Sequence, residues 1–256
     1  MSVASPPAAT GRARSPFVAI LVYTLRSCFP RKRWMAVLVP CGGALLFGLL
    51  AHAIHGPAQR SFATVGADGI FGLVLPIAAL VIGDSVLGAE VRAGTFHFTW
   101  LSPTPTWQIV IGRWLGGSIV AIATIAPSVA VAAIVAGTSK SAVASFVAAA
   151  MGGIAYVAVF IAIASLTQRT AVWSLAFVFL VERLLGTALT GIAQLSPTWE
   201  SRAIFLGYLK HVPSDVVRTG IPQGGAAIVR LCIVSAVVLG CSIWRMSHMR
   251  MAGASD

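Results

Sequence analysis

Six stretches of this chain, each about twenty residues or longer, are apolar almost throughout: 34–54, 69–88, 108–136, 142–166, 171–192 and 225–245. A hydrocarbon core about 30 Å thick is crossed by about 20 residues of helix. A lone strand in lipid would leave its backbone groups unpaired, so each stretch is expected to be a helix. The expected fold is therefore an all-α integral membrane protein with six transmembrane helices in one domain, residues 16–246.

Composition agrees with that constraint. The chain is 57% hydrophobic and only 10% charged, whereas a soluble domain carries about 25% charged residues. Its net charge of +11 rests on 18 basic and seven acidic residues among 256. So few basic groups do not make a nucleic-acid surface; a cationic membrane protein against an anionic leaflet accounts for the balance. The four cysteines, Cys28, Cys41, Cys232 and Cys241, form no CxxC pair or Cys/His cluster. Packing is their expected role, in place of disulfides or zinc.

Lys/Arg placement sets the expected orientation. With the N-terminus inside, eleven basic residues fall on the cytoplasmic side, including Arg31, Lys32, Arg33, Arg92, Arg113 and Arg169. Five fall outside (Arg60, Lys140, Arg202, Lys210 and Arg218), and Arg183 and Arg230 fall within spans. Both termini are thus expected on the cytoplasmic side of the cell membrane. Residues 1–15, rich in Ala, Pro and Ser, are expected as a disordered tail, and 247–256 as a second tail.

The RKR at 31–33, the apolar run after it and AHA at 51–53 have the look of a secretory signal. The run is long enough to span, so an uncleaved first helix is expected instead. Ahead of it, residues 16–29 are too short to cross. Phe17, Leu21, Leu25 and Cys28 share one helical face, with Thr24 and Ser27 on another, and Pro30 ends the segment. It reads as an amphipathic helix in the cytoplasmic interface or as an extension of the first span. Residues 193–224 form the longest outer loop, with an apolar patch at 203–209; a short interfacial or re-entrant helix and an ordinary surface loop are both open.

Between the second and third spans the chain reads GAEVRAGTFHFTWLSPTPTWQIVIGR, from Gly88 to Arg113. A hairpin between antiparallel helices needs only a few residues, so the surplus has another use. A short helical piece from Glu90 to about Arg92, a break at Gly94, and a second piece over Thr95–Leu101 carrying Phe96, Phe98 and Trp100 are expected. Prolines 103 and 105 end it, and Thr106 is placed to cap the next helix. Aromatic side chains and a few charges on a short rigid element make a protein-binding knob.

The spacing Glu90, Gly94, Thr95, Leu101, Pro103, Pro105, Ile109 to Gly112, Arg113 resembles the first cytoplasmic loop of ABC-2 type transporter permeases, with arginine where lysine is commoner. The six spans, the N-terminal interfacial helix and the long last outer loop are similar as well. The resemblance implies a permease subunit of an ATP-driven exporter, working as a homo- or heterodimer in the lipid bilayer. The insert then corresponds to the coupling helix, and Glu90, Gly94, Thr95, Phe98, Trp100 and Arg113 are its expected coupling residues. The alternative for the loop is simple hairpin closure, with Arg113 an anchor. No GxxxxGK[ST] phosphate loop is present, so ATP and Mg belong to a separate ATPase subunit, with no cofactor bound here directly. Drugs, antibiotics and other amphipathic molecules are the implied cargo.

Two residues inside spans stand out, because an intramembrane charge costs a few kcal/mol on insertion scales. Glu182 either lines a substrate path and meets a cationic cargo, or pairs across the dimer with a basic group such as Arg230. Asp84 is placed to cap or position the insert; Asp68 and His55 read as solvated, and His97 lacks ligand partners. Gly112 and Gly116 form a GxxxG suited to close helix packing. Two other classes are kept: a non-transporting sensor or immunity subunit of the same fold, and a membrane enzyme, for which clustered acids or a Ser/His pair are lacking.

Overall fold

The computed structural model describes residues 15–28, 35–95, 103–167, 169–185, 194–209 and 224–248, with the side chains of 35–37 and 183–185 excepted. Residues 1–14 and 249–256 of the two tails, Phe98, Trp100, the RKR run and the end of the expected fifth span lie outside the described residues. Every regular element among the described residues is helical: α1 Pro16–Cys28, α2 Met35–Ala53, α3 Ala58–Arg92, α4 Thr106–Val135, α5 Ala142–Leu166, α6 starting at Thr170, α7 Pro197–Gly207 and α8 Gly225–Ser247. Within α3, residues Gly66–Val74 and Asp84–Gly88 are π-helical, and α6 passes from Thr170–Ala176 into a π-helical stretch, Phe177–Leu185.

Four of these segments are long and apolar enough to cross a membrane: Ala58–Arg92, Thr106–Val135, Ser139–Leu166 and Gly225–Ser247. The described residues are thus all-helical, with four helices able to span a membrane. The stretches expected as the first and fifth spans are shorter apolar helices. The second and third spans extend further than their apolar cores, into the polar insert.

Contacts at small residues fix how the helices run. Gly112 meets Ile20 and Phe17, and Gly116 meets Thr24. Further along α4, Ser128 contacts the Cys41 thiol at 2.9 Å and Ala132 abuts Gly48. Residue numbers rise together in both cases, so α1 and α2 lie in series and parallel to α4, one along each half. The GxxxG expected to admit a close helix admits α1. Thr24, assigned by pattern to a face other than that of Phe17, Leu21, Leu25 and Cys28, is buried against α4. Its hydroxyl is satisfied within α1 by donating to the Ile20 carbonyl at 2.9 Å, which is why a threonine can sit there.

The centre is built from α3, α4 and α5. Gly117 of α4 packs between Val86 and Val157, Gly153 against Ala121, and Gly83 against Phe160. Thus α4 runs antiparallel to α3 and α5. Fully buried Phe62, Phe71, Tyr156, Phe160 and Phe205 fill the space these small residues leave.

Among the described glycines, Gly48 comes tightest against another helix's backbone: an added Cβ would stand 2.7 Å from the Ala132 carbonyl oxygen and 3.0 Å from its Cα. Backbone cannot swing aside, so Gly48→Ala is expected to force α2 off α4 at about 1–3 kcal/mol. Gly42→Ala, on the same helix with nothing within 4 Å of its Cβ, is expected to gain up to about 1 kcal/mol from helix propensity. Thermal melting of the two variants in detergent checks the opposite signs.

Candidate functional site

The insert is held at its base by charges from two helices, α3 and α4, and a phenol from a third, α1. The second span does not stop at Gly88; α3 continues to Arg92, so the helical piece expected from Glu90 is the end of that span. It then closes on a glycine terminator. Gly94 has φ +69°, its N–H bonds the Val91 carbonyl at 3.2 Å, and the Thr95 N–H bonds the Glu90 carbonyl at 3.1 Å. This Schellman pairing needs a left-handed residue at that position, and the break expected at Gly94 is there. On the return, Pro105 occupies the cap position, where no side chain caps the helix, and α4 starts with Thr106 itself. Pro105 fixes an extended backbone just outside the helix, and the cap expected of Thr106 is not formed.

Arg113 locks the two stems together. It is 2% exposed, donates from Nη1 to the Val86 carbonyl at 2.7 Å, and donates from Nη2 to Glu90 Oε2 at 2.6 Å. Its acceptors lie on the last turns of α3, one of them inside the π-helical stretch, a form frequent at functional sites. Tyr23 of α1 joins the node: partial desolvation and then its hydrogen bond to Glu90 raise its phenol above the ordinary range. Two turns along α3, Arg92 forks onto Asp84, with Nη2–Oδ2 at 2.8 Å. Gly88 lies between them, where a Cβ would strike the Asp84 carboxylate. Asp84 thus positions the helix end, the role its place in the sequence suggested.

Of the six expected coupling residues, the structure gathers Glu90, Gly94, Thr95 and Arg113 at the end of the bundle. Phe98 and Trp100 lie outside the described residues.

A second polar cluster lies level with the middle of α5. The Glu182 carboxylate accepts from Tyr156 Oη, from Ser196 Oγ at 2.7 Å and from Thr198 Oγ1 at 2.9 Å. Ser196 is the N-cap of α7 and also accepts from the Trp199 N–H. Pro197 follows at the first helical position, which its fixed φ favours. From there α7 runs antiparallel to α5, with Ser201 beside Gly152 and Phe205 in edge contact with Phe62 at 5.8 Å. The apolar patch of the last loop is therefore part of a buried helix. Ala203, Ile204, Phe205 and Leu206 are all in the core.

Within the chain, Arg230 meets Glu200 at 3.6 Å, while Glu182 is held by hydroxyl groups. Asp68, read from sequence as solvated, is exposed but paired with Arg202 at 3.0 Å. Sequence reasoning did not single out Tyr156, Ser196, Thr198 or Glu200. A start signal was present in Ser196-Pro197, the same pair of residue types that opens α1, where Ser15 Oγ accepts from the Val18 N–H. No group of three or more His, Cys, Asp or Glu stands together to hold a metal among the described residues. Set against known proteins, the chain matches no protein-family model and no curated protein sequence.

Proposed function

We propose that the chain is the membrane subunit of an ATP-driven exporter of the ABC-2 type, carrying an amphipathic cargo and driven by a separate ATPase subunit. In this reading the chain crosses the membrane six times with both termini in the cytoplasm. The shorter α2 and α6 supply the first and fifth crossings, α1 extends the line of α2 along the cytoplasmic half of α4 in place of lying flat in the interface, and α7 is re-entrant. Two such subunits, identical or related, form the path. The observation that carries the reading is the buried Arg113 lock, which joins the last turns of α3 to the first turns of α4. A loop that only closed a hairpin would have no need of a desolvated guanidinium at its base. A loop that receives force from a partner does, because both stems must move as one body if closure of the ATPases is to favour one arrangement of the spans.

The test lies in the loop itself. An ATPase is expected to copurify with the wild-type chain from native membranes. Phe98→Ala with Trp100→Ala is expected to abolish that copurification, while the protein stays membrane-inserted with an unchanged melting temperature. Undiminished copurification would count against the coupling assignment. Cargo flux in reconstituted vesicles separates an exporter from a non-transporting subunit of the same fold, since fold alone does not settle function.

A further inference from the structure

Glu200 sits on α7 with 1% of its surface exposed, and neither carboxylate oxygen has a hydrogen-bond partner. Glu182 shows what a buried carboxylate ordinarily gathers, three hydroxyl donors around two oxygens. Glu200 has only Arg230 of α8, 3.6 Å from Oε1 and itself 43% exposed. That is ion-pair distance and beyond a good hydrogen bond. Burying a charged carboxylate without donors is costly, so the site favours the neutral acid and Arg230 alone favours the anion.

Two other charged or titratable side chains on the elements packed against α7, among the described residues, have commitments of their own. Tyr156 of α5 bonds Glu182, and Asp68 of α3 pairs with Arg202 of α7. Burial pushes the Glu200 carboxyl up, the Arg230 charge opposes it, and the balance falls at about 7.

We propose that Glu200 is a proton-binding site whose occupation dissolves the Glu200–Arg230 tie between α7 and α8. The step is a simple protonation. Water supplies the proton, one carboxylate oxygen takes it, Arg230 stays cationic, and the pair goes from neutral to singly positive. Nothing in the proposal depends on the chain being an exporter subunit.

Infrared difference spectroscopy of the full-length protein in lipid nanodiscs reads this directly. A protonated-carboxyl band is expected to vanish as pH rises, with a midpoint near 7, and to be absent from Glu200→Gln. Arg230→Gln removes the opposing charge and is expected to move the midpoint upward. Protection of the α7 amides against hydrogen exchange is expected to rise below the midpoint, where the neutral acid suits its buried site, and in Glu200→Gln to hold that higher level at any pH.

The stability sign follows from the raised value. Between the ordinary 4.5 and about 7 the unfolded chain loses this proton first, so rising pH through that window destabilises the fold. Glu200→Gln is therefore expected to melt higher than wild type above pH 7, with the margin closing as pH falls towards 4.5. A titration near neutrality that survives in Glu200→Gln, or none at all, overturns the proton site. An unmoved midpoint in Arg230→Gln, or α7 exchange indifferent to Glu200→Gln, overturns the tie.

Discussion

Arg113→Ala is expected to be among the most damaging single substitutions in this protein, lowering stability by about 3–5 kcal/mol. The guanidinium is 2% exposed and satisfies the Val86 carbonyl and the Glu90 carboxylate together. Removing it leaves a poorly solvated acid and an abandoned carbonyl at the junction of α1, α3 and α4. For a chain of this size the loss corresponds to a fall of roughly 10 °C in melting temperature, at about 2–4 °C per kcal/mol. Arg113→Lys is expected to fall between, because an ammonium cannot span two separated acceptors as a planar fork does. Arg113→Met combined with Glu90→Leu is expected to recover most of the loss, since a buried pair replaced whole is far less costly than a pair broken. Melting of the purified variants in detergent decides the matter. A single alanine variant as stable as wild type would mean that the lock is incidental.

Much of this arrangement was legible in the sequence, and the reasons differ from residue to residue. Apolar length alone located α3, α4, α5 and α8, because the hydrocarbon thickness admits few alternatives. Gly94 and Pro105 announced the two ends of the insert, since each restricts its own backbone whatever surrounds it. Arg113 stood out as a charge at the start of a span, but its partner Glu90 lies 23 residues away. Only the antiparallel packing of α3 on α4 brings them together. Thr24 was set apart from the apolar face because a hydroxyl counts as polar in a pattern, while in the helix it is quenched by its own backbone. Glu182 was conspicuous as an acid in a span, yet the groups that hold it are ordinary hydroxyls, which carry no pattern. Glu200 lay inside what looked like loop. Only after α7 is seen folded back against α5 does that carboxylate become a buried group.

Glu182→Ala is expected to detach α7 from the bundle. Three hydroxyls, on Tyr156, Ser196 and Thr198, direct hydrogen bonds at this one carboxylate, and they come from two different packing partners. Without it the three hydroxyls lose their shared acceptor; Tyr156 and Thr198, already in contact, can bond each other, which leaves a buried donor with no anion to receive it. Bonds to a charged acceptor contribute about 1.5–3 kcal/mol each, and a donor left buried and unpaired costs about 1–3. A loss of about 3 kcal/mol or more is therefore expected, concentrated on α7 and the adjoining π-helical stretch. Glu182→Gln keeps one carbonyl acceptor and is expected to lose about half as much. Hydrogen exchange separates local release from general weakening, because elements open with their own free energies. Amides across Pro197–Gly207 are expected to lose protection in Glu182→Ala while those in the middle of α4 keep theirs. Equal loss in both helices would show that Glu182 supports the whole bundle, and no loss in either would show that apolar packing of Ile204, Phe205 and Leu206 is enough to hold α7 in place.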